Sequence, residues 1–304
     1  MDAVLYPGLS PSRHAHVRRF LASYPGVARR FEECSDAAGY DLEEAYSTAL
    51  IDDWEPYQLA FLAINLSLVE WMREERGIDP DVVCGQSFGG FVAAVGSGAV
   101  GLADMVRLLV SSGEVERRWF ADQGRDLACV FFTRVDDAVV EALLADPAPG
   151  GWTELSVRHD GGVLAVSGDR RSVRRLEERV RAAGGRVFYV IDRAEHCPRM
   201  GPLRELLAEE VYGTVPFRAP VRRLVSDIDG SELSTGEDVA RHLLDGWTHP
   251  VVAGDLYRGL LALDVDRLVV PGPRSAFRGH GAGAFELLPV SPGDVSTDLL
   301  TAQP

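Results

Sequence analysis

Short apolar runs alternate along this chain with longer segments of helical period, the pattern of an α/β protein. Ala3-Val4-Leu5-Tyr6 reads as a first strand, closed by Pro7-Gly8. Val17 to Ala22 and Val27 to Ala38 read as helices. Tyr57 to Arg73 is strongly helical, with Leu59, Leu62, Ala63, Leu66 and Val69 on one face. Val82-Val83-Cys84 is a second strand, followed by helices over 88–98 and from Leu102 to Phe120. The texture then changes. Leu127 to Thr133 (strand), Asp136 to Leu144 (helix), Leu155 to Val157 and Val163 to Val166 (strands), Arg171 to Ala183 (helix) and Arg186 to Val190 (strand) spell βαββαβ, a ferredoxin-like order. Val221 to Val225 and Arg267 to Val270 read as buried parallel strands, and the Gly- and Pro-rich residues beyond Gly279 as a loosely packed tail. The expectation is an α/β-hydrolase-like large subdomain with a parallel sheet, residues 1–125 and 193–304, interrupted by a small ferredoxin-like subdomain, residues 126–192.

Composition narrows the chemistry. No run of about 18 apolar residues predicts a membrane span. Met1 to Tyr6 lacks a charged, then apolar, leader pattern and reads as a strand rather than a signal peptide. The four cysteines, Cys34, Cys84, Cys129 and Cys197, have no paired spacing, which fits a reducing cytoplasm and no metal site. All 31 basic residues are arginine, so lysine Schiff-base chemistry is excluded in this chain. A net charge of −15 makes nucleic acid and anionic membrane poor partners. The cluster Arg170, Arg171, Arg174, Arg175, Arg179 and Arg181 reads either as a local basic patch for an acidic partner or as a solvated helix face paired with Glu177 and Glu178.

The candidate chemistry lies at Gly85-Gln86-Ser87-Phe88-Gly89, a GxSxG elbow between a strand and a helix. Such a turn pushes a serine hydroxyl out at the sheet edge, in front of helix N–H groups that favour an oxyanion. The motif alone serves hydrolases, thioesterases and acyltransferases alike.

Segments around it are similar to those of the malonyl-CoA:acyl carrier protein transacylase family. Gly85 to Gly113, with Leu102-Ala103-Asp104-Met105-Val106-Arg107-Leu108, carries the main likeness. Tyr6-Pro7-Gly8, Val163 to Gly168, His196-Cys197-Pro198-Arg199-Met200, Thr248-His249-Pro250-Val251 and Val270-Pro271-Gly272-Pro273 extend it to about residue 280. The resemblance implies a Ser–His dyad in a cleft between two subdomains. Ser87 is then the nucleophile and His196 the general base, with a backbone carbonyl, matched to His249, orienting the ring. The N–H groups of Phe88 and Leu9 form the implied oxyanion hole.

Four positions depart from that family pattern. Ser112 stands where an arginine pairs with the malonyl carboxylate, and no serine reproduces a guanidinium fork. Arg117 and Arg118 lie five and six residues on and point elsewhere on the helix. Glu195, before the base, repels a substrate carboxylate and attracts an ammonium, unless it turns to solvent or pairs with Arg193 or Arg199. Leu9 replaces a glutamine that supports the oxyanion hole. Gln86 replaces a histidine and cannot titrate near neutral pH. Gln86, Ser112 and Glu195 are therefore the candidate substrate-binding residues.

The expected function is a discrete, trans-acting acyltransferase of polyketide biosynthesis, related to those of macrolactam pathways. It moves an aminoacyl or dipeptidyl group between donor and acceptor acyl carrier proteins. No cofactor is bound permanently; the cargo rides on the carrier's phosphopantetheine. A cytoplasmic monomer is expected. Arg170, Arg171, Arg174, Arg193, Arg199 and Met200 are candidate carrier-docking residues. A carrier-editing thioester hydrolase, a malonyl-type transacylase and an idle docking module remain alternatives. So does an unrelated hydrolase using Asp227 or Asp229 with His249 or His280.

Overall fold

The computed structural model describes residues 1–10, 12–49, 53–273, 281 and 283–301. In chain order, the first part comprises β1 (Asp2–Tyr6), α1 (His14–Ser23), α2 (Pro25–Ala38), α3 (Leu42–Thr48), α4 (Trp54–Arg76), β2 (Val82–Gly85), α5 (Gly89–Gly96) and α6 (Leu102–Asp122). There follow β3 (Leu127–Thr133), α7 (Asp137–Leu144), β4 (Thr153–His159), β5 (Val163–Asp169), α8 (Arg170–Ala182) and β6 (Arg186–Ile191). The last part comprises α9 (Gly201–Glu210), β7 (Arg223–Val225), β8 (Glu232–Leu233), α10 (Gly236–Asp245), β9 (Val251–Val252), α11 (Ala253–Ala262), β10 (Arg267–Pro271), β11 (Glu286–Val290) and α12 (Pro292–Thr301).

These strands form two sheets. The larger has the order β11-β10-β1-β2-β7-β8 and is parallel except for the β7–β8 pair. Its central strands are apolar throughout because helices cover both faces. Val4, Tyr6, Val83 and Leu224 pack towards α2, α4 and α5, and Ala3, Leu5, Val82 and Leu268 towards α11. Helix α4 is buried almost all round, with Leu59, Leu62, Ile64 and Leu68 fully enclosed, and Gly77 (φ 64°) ends it in the left-handed conformation. Among the described residues no helix is long and apolar enough to cross a membrane.

The smaller sheet has the order β6-β3-β5-β4-β9. Its first four strands are antiparallel in the ferredoxin-like arrangement, with α7 and α8 covering one face through Val140, Val173, Leu176 and Val180. The fifth strand, β9, comes from outside residues 126–192 and pairs parallel with β4 through Val157 and Val251. The small sheet is thereby stitched to the segment that follows α10.

The tail requires a correction. Beyond the glycines, Glu286 to Val290 adds a parallel edge strand to β10, Val290 and Val295 are buried in the main core, and α12 packs against α1. Glycine-rich composition marks the turn before this strand, whereas the apolar run after it decides the packing.

Candidate active site

Three parallel strands, β1, β2 and β7, deliver their carboxyl ends to one place. Tyr6 and Gly85 are register partners, so the Pro7-Gly8-Leu9 loop and the serine elbow leave the sheet side by side. A Cβ on Gly85 would overlap the carbonyl of Gly89, and one on Gly89 would overlap that of Tyr6. Only glycine allows so tight a strand-to-helix turn. The Gln86 N–H donates to the Tyr6 carbonyl at 3.0 Å, and the Gly89 N–H to the Gln86 carbonyl at 2.8 Å. Ser87 sits at the apex with φ 53°, a left-handed conformation that a serine holds only under restraint.

That restraint comes from Asp227, just beyond β7. Its Oδ2 accepts the Ser87 N–H at 2.9 Å, and its Oδ1 lies 3.3 Å from Nε2 of His242. Asp227 therefore holds the elbow and His242, not a catalytic histidine ring. His249 lies exposed, and His280, its counterpart in the alternative triad, falls outside the described residues.

Ser87 Oγ lies 2.8 Å from Nε2 of His196, and Nδ1 of His196 lies 2.6 Å from the carbonyl oxygen of Gly246. A carbonyl only accepts, so Nδ1 carries the proton and Nε2 is left as the acceptor facing the serine hydroxyl. The orienting carbonyl thus belongs to Gly246 and not to His249. After α10 the chain winds one further turn, with the Thr248 and His249 N–H groups both donating to the Asp245 carbonyl, at 2.9 and 3.0 Å. That turn carries His249 to the surface, where its Nδ1 also contacts the Asp245 carbonyl, at 2.9 Å. Cys197, beside the base, is no rival nucleophile, because burial pushes its thiol up to about 12.

The predicted oxyanion residues flank the nucleophile. Phe88 precedes the first turn of α5, and a Cβ on Gly8 would lie 3.6 Å from that of Ser87, which puts the Leu9 loop against the elbow. The Ser87 N–H is itself engaged by Asp227.

Gln86 and Ser112 are buried, and Gln86 Nε2 and Ser112 Oγ have no hydrogen-bond partner among the described residues. Glu195 pairs with Arg193, the alternative set against a free carboxylate facing an ammonium: Arg193 Nε donates to it at 2.6 Å, while Arg193 Nη1 also meets Glu116 at 3.1 Å. All three side chains are about 15% exposed. The guanidinium stacks 4.5 Å from the Trp54 ring and also faces Phe120 and Trp247. Burial pushes the Glu116 carboxyl up to about 7, against the pull of Arg193 and with the repulsion of Glu195. Sequence reasoning missed Glu116, although its position one helical turn beyond Ser112 places it on the same face of α6. It also missed the elbow role of Asp227, for which no spacing gave a signal.

Two docking candidates require correction. Arg193 is enclosed by its carboxylates and aromatic rings, and Met200 is fully buried in the main core, so neither offers a surface. Within the turn Pro198–Met200 only Met200 faces inward, packing into the main core just before α9, while Pro198 and Arg199 are exposed. Arg174 is exposed on α8; Arg170 pairs with Asp192 at 2.5 Å and Arg171 lies 4.0 Å from Asp169. Arg175 and Arg179 share Asp146, and Arg181 meets Glu177. Arg199 lies over Trp152, 3.5 Å from Glu154, and is 59% exposed.

Comparison with known proteins agrees with this architecture. The chain is 25% identical over 283 residues to malonyl CoA-acyl carrier protein transacylase of Escherichia coli K12, covering 91% of this chain and 90% of that one. It is 28% identical over 243 residues to polyketide synthase GfsA of Streptomyces halstedii, covering 79% of this chain and 3% of that one. The crystal structure of FabD from Acinetobacter baumannii superposes with a TM-score of 0.84 at 20% identity, covering 99% and 98% of the two chains. A malonyl-transacylase in complex with a type II polyketide synthase acyl-carrier protein, PlMCAT:AntF, gives 0.86 at 20% identity, covering 99% of each. The family model for the acyl transferase domain matches residues 16–265. This chain belongs to that family and is an acyltransferase.

Proposed function

We propose that this protein transfers a non-malonyl, amine-bearing acyl group between acyl carrier proteins through an ester on Ser87. The observation that carries the reading is the aligned relay of Ser87 Oγ, His196 and the Gly246 carbonyl. Ser87 Oγ attacks the thioester carbonyl carbon while Nε2 of His196 takes the hydroxyl proton. The tetrahedral oxyanion is met by the N–H groups of Phe88 and Leu9. The C–S bond breaks and His196 returns the proton to the departing phosphopantetheine sulfur. The second carrier's thiol then attacks the acyl-serine by the reverse sequence. The enzyme holds no permanent cofactor in this scheme, because the carrier supplies the thiol.

Charge in the cluster that includes Glu195, the residue before the base, supports the cargo assignment. Ser112 offers a dicarboxylic acyl unit no guanidinium, and Arg193 already serves two carboxylates. The cluster sets two carboxyl groups against one guanidinium, and a surplus negative charge develops as Glu116 loses its proton at about pH 7. A substrate carboxylate beside it would be buried unpaired, whereas an ammonium would complete the balance. The relatives named above as malonyl transferases favour a malonyl cargo as the second reading. An aminoacyl or dipeptidyl unit, as in macrolactam polyketide assembly, fits the charge better.

Carrier proteins are acidic, as is this chain, so docking needs a local cationic face. Arg174, exposed on α8, is the centre of that face, with Arg170, Arg171 and Arg199 contributing where a carrier's carboxylates replace their present partners, so that encounter in the cytoplasm is steered. The test is to load the enzyme with an aminoacyl group and add a free holo-carrier. Transfer predicts acyl-carrier formation at a rate well above acyl loss to water. Equal loss with and without carrier would make the protein a thioester hydrolase.

A further inference from the structure

Two buried serines of the small sheet reach the peptide that carries the base. Ser156 on β4 and Ser167 on β5 are both fully enclosed, and their Oγ atoms lie 2.7 Å apart. In the register leading into this point Ser167 faces Glu154, and Ser156, two residues on, lies on the same face of the sheet. The register of β4 against β5 shifts between Leu155 and Val157, so Ser156 is an extra residue without a ladder partner, and its hydroxyl is left to meet Ser167. Ser167 Oγ accepts the Glu195 N–H at 3.0 Å and lies 3.0 Å from the Glu195 carbonyl oxygen. Ser156 Oγ lies 2.7 Å from that same oxygen and donates to it. Both polar atoms of the Glu195 main chain are thus held by side chains from the other subdomain.

The next residue is His196, whose φ of 53° places a bulky side chain in the left-handed region. A residue in that conformation persists only where its surroundings over-determine it. On the far side, the Cys197 N–H donates to the Trp247 carbonyl at 3.1 Å, next to the Gly246 carbonyl that orients the ring. The histidine is therefore clamped from both flanks, and the serine pair forms the small-sheet half of the clamp.

We propose that Ser156 and Ser167 are positioning residues that hold His196 within reach of Ser87. The proposal rests on the reading of His196 as general base and does not depend on which cargo or carrier the enzyme takes. Loss of the two hydroxyls frees the Glu195 peptide to rotate, lets His196 relax from its strained φ, and lengthens the Nε2 to Oγ approach. Binding of a small probe that carries no amine is left as it was; the proton-transfer step slows.

The experiment uses the full chain and a small alkyl phosphonofluoridate. Ser87 Oγ forms a bond to phosphorus, the P–F bond breaks, fluoride departs and His196 takes the hydroxyl proton. The Ser156→Ala/Ser167→Ala protein, folded by thermal melting, is expected to lose roughly tenfold or more in maximal inactivation rate with an unchanged half-saturation concentration. Ser167→Thr alone, which keeps a hydroxyl on a strand position, is expected to stay within about threefold of the parent. A double variant that reacts at the parent rate overturns the proposal. So does a Thr variant that falls as far as Ser167→Ala, since packing and not the hydroxyl would then be at stake. A His196→Ala control as fast as the parent overturns the base assignment and this role with it. Because the probe carries no amine and no carrier, an error about the cargo would leave these rates untouched and appear only in acyl loading.

Discussion

Nδ1 of His196 lies 2.6 Å from the carbonyl oxygen of Gly246, so a neutral main-chain dipole, and no carboxylate, fixes the tautomer of the base. A backbone atom cannot be deleted by substitution, and the side chains nearby are dispensable to the extent that they leave the turn intact. His249→Ala is therefore expected to leave Ser87 acylation within about twofold, while His196→Ala lowers it by about 10²–10⁴. Stopped-flow or quenched acylation with a thioester donor reads both. A large loss in His249→Ala would restore that residue to the mechanism.

The contrast between these two histidines shows where sequence reading works. Ser87 and His196 are legible because an elbow has a local signature and because neighbouring residues repeat a family pattern. The orienting carbonyl is not legible, since any residue carries one. Which oxygen meets the ring depends on one extra turn wound after α10. The ferredoxin-like unit was readable from its alternation of short strands and helices. The β9 addition was not, because a two-residue strand has no periodicity and owes its existence to β4 beside it. The edge strand β11 was hidden by the glycines before it.

Asp227 supplies the second prediction. Its carboxylate accepts the N–H of a serine held at φ 53°. Asp227→Ala leaves that N–H unsatisfied in a largely buried site, at an expected cost of about 1–3 kcal/mol in urea denaturation. Acylation should fall about tenfold as the elbow relaxes. Asp227→Asn keeps an accepting oxygen and should recover most of both losses. Unaltered stability in the alanine variant would separate Asp227 from the elbow.

The elbow glycines carry a harsher expectation. Gly89→Ala places a methyl group against the Tyr6 carbonyl, a backbone atom that cannot swing away. The strand-to-helix turn must open, and stability should drop by more than about 3 kcal/mol, with acylation lost even in the folded fraction. Differential scanning calorimetry measures the drop. A thermal midpoint within about 2 °C of the parent would show that the turn has slack.

Glu116 gives the protein a pH signature. In the unfolded chain this carboxyl ionises near 4.5, and burial raises it to about 7 in the fold. Between those values the unfolded state has released its proton and the folded state keeps it. Stability from this group is therefore fully present below about 4.5 and is lost as pH rises to about 7. Glu116→Gln removes the dependence, so its stability relative to the parent should climb across that window and level off above it. The comparison is made by urea denaturation at a series of pH values. A parent-to-variant difference that stays constant would place the Glu116 carboxyl in its ordinary range.

The central claim concerns the cargo of Ser87, and intact-protein mass spectrometry tests it most directly. The enzyme is incubated with matched carrier proteins bearing aminoacyl, dipeptidyl, malonyl and simple acyl groups, and the mass added to the chain is read, with Ser87→Ala as the blank. The charge balance around Glu116, Arg193 and Glu195 predicts aminoacyl or dipeptidyl loading on Ser87, weakened in Glu195→Gln, with little malonyl adduct. Preferential malonyl loading, unchanged in Glu195→Gln, would contradict it.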